Sequence, residues 1–149
     1  TLLIGKTQGS DYVVRWSGDE FLLLLRDMKR NAIDDYTKNL CRTIAGHKFK
    51  LPNGKTVHLS SSLGWAFYPL PLLGGQIIGW ETSINLADLA LHKVKERGRN
   101  GVATFTFDEQ LDAFEFEDNE IIEKQLTDLL DTQLAKLHIW MQERWSMKI

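Results

Sequence analysis

Two apolar runs, Tyr12-Val13-Val14 and Phe21-Leu22-Leu23-Leu24-Leu25, are separated only by Arg15-Trp16-Ser17-Gly18-Asp19-Glu20. β-Branched and aromatic residues closely spaced around a glycine predict a β-hairpin with Ser17-Gly18-Asp19-Glu20 at or near its tip. The unbroken run from Phe21 to Leu25 predicts a strand covered on both faces, or nearly so. Such a strand needs neighbours on both sides, and no strand is legible before Tyr12, so the chain reads as the C-terminal part of a longer domain. The tip sets two adjacent carboxylates, Asp19 and Glu20, beside Gly18. Acids and glycine are what turns prefer. Carboxylate oxygens also suit hard Mg²⁺ or Mn²⁺, and Mg²⁺ is commonly held by one or two carboxylates together with substrate phosphates. Spacing alone leaves both readings open.

Around the hairpin the period changes several times. The first eleven residues read as a frayed helix end and a turn. Ile33, Tyr36, Leu40, Cys41 and Ile44 recur at helical spacing over about 31–45, with Gly46 as the stop. Pro52-Asn53-Gly54 lies between KFKL and TVHLSSSLGWAFY and predicts a second hairpin. A loop with Pro69, Pro71, Gly74, Gly75 and Gly79 follows. A helix over about 81–97 carries Ile84, Leu86, Ala87, Ala90, Leu91 and Val94 on one side, Gly98 ends it, and GVATFTF reads as a last strand. Beyond Asp108, Ile122, Leu126, Leu129, Leu130, Leu134, Leu137 and Met141 form one stripe, which predicts an amphipathic helix. The sum is an α+β protein, an α/β sandwich with mixed strand directions.

Composition narrows the function classes. Of 149 residues 43% are hydrophobic and 26% charged, as in a globular domain. The single cysteine, Cys41, rules out an internal disulfide and fits a buried thiol. The longest apolar stretch, PLPLLGGQIIGW, is interrupted and too short to span a membrane. Residues 1–105 carry 14 Lys/Arg against 9 Asp/Glu, and residues 106–149 carry 4 against 11, matching the totals of 18 and 20. A mildly basic body suits a phosphate-bearing ligand, and an acidic tail suits a solvated or partner-facing segment.

Two further stretches could carry chemistry. Lys95 and Arg99 stand near a predicted helix C-terminus, where cations complement the dipole. They could equally reach a triphosphate, Arg99 as a fork and Lys95 as a point charge. Ser62-Leu63-Gly64-Trp65-Ala66 is a strand with a glycine, which by itself indicates close packing or a bulge.

Taken in order, these stretches resemble a known family. RWSGDEF is similar to the GG(D/E)EF signature of diguanylate cyclases, SSSLGWA to that family's (T/S)xS(I/L)GxA strand, and LADLALHKVKERGRNGV to its ADxALYxAKxxGRNxV helix and strand. Order and spacing agree over about residues 8–105. The WET…NLADLAL spacing and WAFYP look most like GGDEF domains at the end of large bacterial sensors with propeller-like periplasmic regions. The resemblance implies a palm-like mixed sheet flanked by helices, akin to nucleotide polymerases and class III nucleotide cyclases. It implies condensation of two GTP into cyclic di-GMP with release of pyrophosphate, in a homodimer, with Mg²⁺ or Mn²⁺, at the cytoplasmic end of a membrane-anchored sensor. No nucleic acid and no membrane contact are expected of this segment. Residue by residue, it makes Asp19 the metal ligand and catalytic with Glu20, places Ser17 and Gly18 against the nucleotide, and gives Lys95 and Arg99 the phosphates.

The departures from the family carry expectations too. Ser17 replaces the first glycine of the signature. The family's inhibitory product site, RxxD, is here Gln8-Gly9-Ser10-Asp11, so only Asp11 remains and product inhibition is expected to be weak or absent. His92 replaces a tyrosine and is given no role. The family's first half, with a first metal aspartate and the guanine-recognising Asn and Asp, has no counterpart in these residues. The expected division is therefore residues 1–106 as the C-terminal portion of a GGDEF domain and 107–149 as an acidic helical extension, inactive as a fragment. That extension either caps its own domain or pairs with a second subunit, with Trp140 and Trp145 as anchors in either case. The alternatives to an enzyme are a catalytically silent GGDEF domain that binds nucleotide or a protein partner, and a purely structural dimerisation module.

Overall fold

The computed structural model describes residues 2–69, 79–107, 122–132 and 135–142. They form two compact units, Thr1–Leu59 and Ser60–Ile149. The expected positions Pro71, Gly74, Gly75, Leu134 and Trp145 lie outside the described residues.

The first unit opens with a 3₁₀ turn, Ile4–Lys6, and then the hairpin of β1 (Tyr12–Ser17) and β2 (Glu20–Leu24). The strands are antiparallel, from Tyr12 opposite Leu24 to Ser17 opposite Glu20, with an irregularity between Arg15 and Ser17. Trp16 is the extra residue there. β2 departs from the expectation of a strand covered on both faces: Phe21 and Leu24 are 49% and 54% exposed, while Leu22 and Leu23 are half-buried. Within the described residues its ladder partner is β1 alone, and a two-stranded ribbon has too little surface to cover five consecutive apolar side chains.

Helix α1 (Arg30–Gly46) buries Ile33, Thr37, Leu40 and Cys41, the face given by its apolar spacing. Thr37 sits in that face without cost because its hydroxyl donates to the Ile33 carbonyl at 2.9 Å. The Asn-Gly signal is met by a short hairpin of β3 (Phe49–Lys50) and β4 (Thr56–Val57), closed by the Leu51 N–H donating to the Lys55 carbonyl at 2.8 Å.

The run expected to continue from Thr56 to Tyr68 is instead two strands. Three consecutive serines, Ser60-Ser61-Ser62, break its apolar alternation, and a new strand, β5 (Ser62–Trp65), starts in the second unit. β5 pairs in parallel with β6 (Gly101–Phe107), and α2 (Trp80–Glu96) lies between them in sequence. A Cβ on Gly64 would meet the Ala87 carbonyl oxygen at 1.8 Å and the Leu91 nitrogen at 2.5 Å. The glycine of this strand is therefore a seat for the backbone of α2, which settles its reading as close packing.

The tail is not one long helix. α3 (Ile122–Asp131) is followed by β7 (Ala135–Met141), which runs antiparallel to β6 with Gly101 opposite Met141 and Phe107 opposite Ala135. GVATFTF is thus the central strand of a mixed three-stranded sheet in the order β5-β6-β7, buried from Gly101 to Phe105. The stretch that suggested helix also contains Ala135, Leu137, Ile139 and Met141, which alternate with period two. At that stretch two periods fit the sequence, and the open edge of β6 selects the strand.

The core of this unit joins Leu86, Ala90 and Val94 of α2, Ala103 and Phe105 of β6, Leu126 and Leu129 of α3, and Ala135 of β7. Leu86 and Leu129 are 1% and 2% exposed, and each contributes about 1.5–3 kcal/mol through removal of its side chain from water. Helices and mixed strands in these proportions make an α+β fold.

Candidate active site

The acidic turn is the tip of the β1–β2 hairpin, with Gly18 and Asp19 as its two central residues between the paired Ser17 and Glu20. Gly18 has φ +45°, and Asp19 is not among the residues with positive φ. That sign pattern is the one of a type II′ turn, which takes glycine at its first central position and matches the right-handed twist of the strands it joins. Ser17 likewise has no positive φ. The serine that replaces the signature's first glycine therefore sits in ordinary strand backbone and strains nothing.

Sequence reasoning missed the residue that braces this tip. Arg15 Nε donates to the Gly18 carbonyl at 2.9 Å. The signal was an arginine three residues before a turn glycine, a spacing that lets a long side chain fold back onto the turn. Ser17, Gly18, Asp19 and Glu20 are all exposed, and open space surrounds the position of a Cβ on Gly18. The turn's backbone and its two acidic residues are therefore open to solvent.

The residues present fit a divalent cation of a particular kind. Among the described residues no group of three or more His, Cys, Asp or Glu could hold a metal ion by itself. The turn offers two carboxylates, hard oxygen donors, which is the usual protein share for Mg²⁺ that also coordinates substrate phosphates.

Lys95 and Arg99 belong to the second unit. Lys95 is in the last turn of α2 and is half-buried; Arg99 lies past the helix end and is exposed. The helix closes with main-chain bonds: the Arg99 N–H donates to the Val94 carbonyl at 3.0 Å and the Gly98 N–H to the Lys95 carbonyl at 3.3 Å. This is the pattern of a Schellman-type cap, with Gly98 at φ +107°. Arg99 and Asn100 then also take positive φ, 64° and 61°. Left-handed backbone costs a non-glycine residue about 1–2 kcal/mol, and Asn tolerates it far better than Arg. The exposed bend after α2 thus holds a non-glycine residue, Arg99, in left-handed backbone.

Asn100 is a second residue the sequence reading passed over. Its N–H donates to the Ser62 hydroxyl at 3.3 Å, and its carbonyl accepts the Gln142 N–H at 2.9 Å. It ties the exit of α2 to the start of β5 and the end of β7. Asp11 sits at the other end of the hairpin from the acidic tip, where its carboxylate accepts the N–H groups of Gln8 and Arg26 at 2.7 and 2.9 Å. Gln8 and His92 are exposed.

A hairpin tip carrying Gly-Asp-Glu, a strand whose glycine seats a helix, and a helix closing on Gly-Arg-Asn define one class of protein, and the chain belongs to it. It is a member of the GGDEF family, the domain family of diguanylate cyclases: the model described as "Diguanylate cyclase, GGDEF domain" matches residues 2–101. That span contains every candidate site residue named above. Among particular proteins, it is similar to the diguanylate cyclase DosC of Escherichia coli, 35% identical over 95 residues, which is 64% of this chain and 19% of DosC. DosC of Shigella sonnei is 36% identical over 93 residues, 62% of this chain and 19% of that protein. The chain thus spans about a fifth of the length of these relatives. Among solved structures, the isolated GGDEF domain of TpbB (YfiN) from Pseudomonas aeruginosa matches with TM-score 0.58 and 26% identity, covering 68% of this chain and 56% of that one. No described helix is long and apolar enough to cross a membrane.

Proposed function

We propose that this chain supplies the signature half of a diguanylate cyclase domain, which condenses two GTP into cyclic di-GMP and two pyrophosphates for bacterial second-messenger signalling. The observation that carries the proposal is the Gly18-Asp19-Glu20 tip, an open turn with two exposed carboxylates, inside the span matched by the family model.

Asp19 would ligate Mg²⁺ (or Mn²⁺), and Glu20 would help shape the site for metal and nucleotide. When bound, the metal supplies charge neutralisation on the phosphates and activates the 3′-hydroxyl. Ser17 and Gly18 allow the turn's backbone to lie against the nucleotide. Lys95 and Arg99 contact phosphate oxygens, Arg99 through its planar fork and Lys95 as a point charge. In the reaction each 3′-hydroxyl gives up its proton to solvent and its oxygen bonds to the α-phosphorus of the other GTP. The bond from that phosphorus to the β-phosphate bridge breaks, and pyrophosphate leaves. Two GTP-loaded domains must face each other, so the working form is a homodimer. The input is a sensor region of the longer protein, with the catalytic domain on the cytoplasmic side.

Gln8 lacks the charge and the bidentate geometry of arginine, so inhibition by product through the Gln8–Asp11 site is weak. The unstrained backbone of Ser17 favours activity over a silent, nucleotide-binding role.

The test is incubation of the full-length protein with GTP and Mg²⁺, with separation of the products by chromatography. One cyclic di-GMP and two pyrophosphates per two GTP are expected. A folded, dimeric protein that binds GTP without consuming it would overturn the enzyme reading in favour of the silent one.

A further inference from the structure

Asp11 joins two stretches of chain that the β ladder does not. Its Oδ2 accepts the Gln8 N–H at 2.7 Å and its Oδ1 accepts the Arg26 N–H at 2.9 Å. The Asp11 N–H donates back to the Gln8 carbonyl at 3.0 Å, so residues 8–11 close on themselves just before β1. Arg26 stands two residues past Leu24, whose ladder partner is Tyr12, the neighbour of Asp11. The carboxylate therefore ties the open end of the hairpin, opposite the Gly18-Asp19 tip. Hydrogen bonds from amides to a carboxylate are about twice as strong as neutral ones.

This hairpin has particular need of such a tie. Register in a hairpin is specified by its turn and, along the strands, by an alternating pattern, because a slip of one residue carries every side chain to the other face. Here Tyr12-Val13-Val14 and Phe21 to Leu25 are apolar on both faces, so a slipped pairing looks much like the correct one. The ladder is also interrupted between Arg15 and Ser17, which weakens the transmission of register along it. A slip would move Asp19 and Glu20 relative to the rest of the hairpin.

We infer that Asp11 is a positioning residue for the acidic turn: by clasping Gln8 and Arg26 it locks the β1–β2 register and so fixes where the carboxylates of Asp19 and Glu20 stand. The inference rests on the proposed metal role of that turn, and it gives Asp11 a duty separate from any contact with product.

The experiment uses the full-length protein and its Asp11→Ala, Asp11→Asn and Asp19→Ala variants. Two quantities are read: hydrogen exchange at the Arg26 amide, and Mn²⁺ binding in the presence of GTP, followed by electron paramagnetic resonance of free Mn²⁺. Asp11→Ala should speed Arg26 exchange roughly tenfold or more through loss of a charge-assisted bond. It should also raise the Mn²⁺ concentration for half-saturation roughly tenfold, as residues supporting metal ligands do. Asp11→Asn keeps one acceptor oxygen and should recover part of both. Faster Arg26 exchange with unchanged Mn²⁺ binding, in either Asp11 variant, overturns the inference, and so does unchanged exchange. If Asp11→Ala does not fold, the isosteric Asn variant decides by the same criteria. Asp19→Ala separates the two levels: if it binds Mn²⁺ as the wild type does, the metal reading of the turn has failed, whereas loss of binding there with none in the Asp11 variants removes the clasp alone.

Discussion

Gly18 and Gly64 are glycines for opposite reasons. Gly18 has room for a side chain but a backbone, φ +45°, that side chains resist, whereas Gly64 has ordinary φ and no room. Gly18→Ala should cost about 1 kcal/mol, and Gly64→Ala about 3 kcal/mol because α2 must shift off β5. Urea denaturation of the two variants checks the difference. The first glycine was legible in the sequence through its turn chemistry; the second gave only the choice between packing and a bulge, since nothing local reveals which helix will lie on a strand. Arg99 carries the converse signature. Arg99→Gly should leave stability within about 1 kcal/mol of wild type, because it relieves left-handed strain while loosening the unfolded chain. It should raise KM for GTP roughly tenfold or more through loss of a charge-assisted contact. A stability loss without a KM change would make Arg99 structural.

Tyr36 adds a pH dependence at the same scale. Burial, and then the negative charge of Asp11, raise its phenol above the ordinary value, and its hydroxyl donates to the Lys6 carbonyl at 2.9 Å. The unfolded chain therefore releases this proton first, near pH ~10. Above that pH the folded state holds more protons and stability falls as pH rises, until the folded tyrosine itself titrates. Below pH ~10 the shift contributes no slope. Melting temperatures should fall more steeply above pH ~10 for the wild type than for Tyr36→Phe; equal slopes would remove Tyr36 as the cause.

At the scale of elements, α1 and α2 were legible because each has a single helical period and a recognisable stop, and the β1–β2 hairpin and β6 because β-branched, aromatic and other apolar residues run up to turn glycines. The tail was not. Leu130, Leu134, Leu137 and Met141 follow helical spacing, while Ala135, Leu137, Ile139 and Met141 alternate, and only the presence of β6 as a ladder partner decides between them. The short α3 still packs as an amphipathic helix should, with Leu126 and Leu129 in the core of its own unit. Leu129→Ala should destabilise by about 2–5 kcal/mol, whereas Lys124→Ala, at an exposed position of the same helix, should stay within about 0.5 kcal/mol. Chemical denaturation distinguishes this from a tail that folds independently, for which both changes would be silent in the main transition.

At the scale of the whole molecule, family membership was legible because three motifs recur in order, and the match over residues 2–101 agrees with it. The order of the sheet was not, since β5, β6 and β7 are neighbours through contacts that no local pattern encodes. Neither was the backbone strain at Arg99 and Asn100, which arises where a helix must turn directly into a central strand. Across these scales one proposal matters most for function: that the acidic hairpin tip holds a metal in a cyclase. The most direct test is the rate of cyclic di-GMP formation from GTP and Mg²⁺ by the full-length protein and by its Asp19→Ala variant, with folding of both checked by circular dichroism. Asp19→Ala should lower the rate by about 10³-fold or more, as expected when a group that stabilises transferring phosphoryl charge is removed. A folded Asp19→Ala protein that makes cyclic di-GMP at the wild-type rate would contradict the proposal.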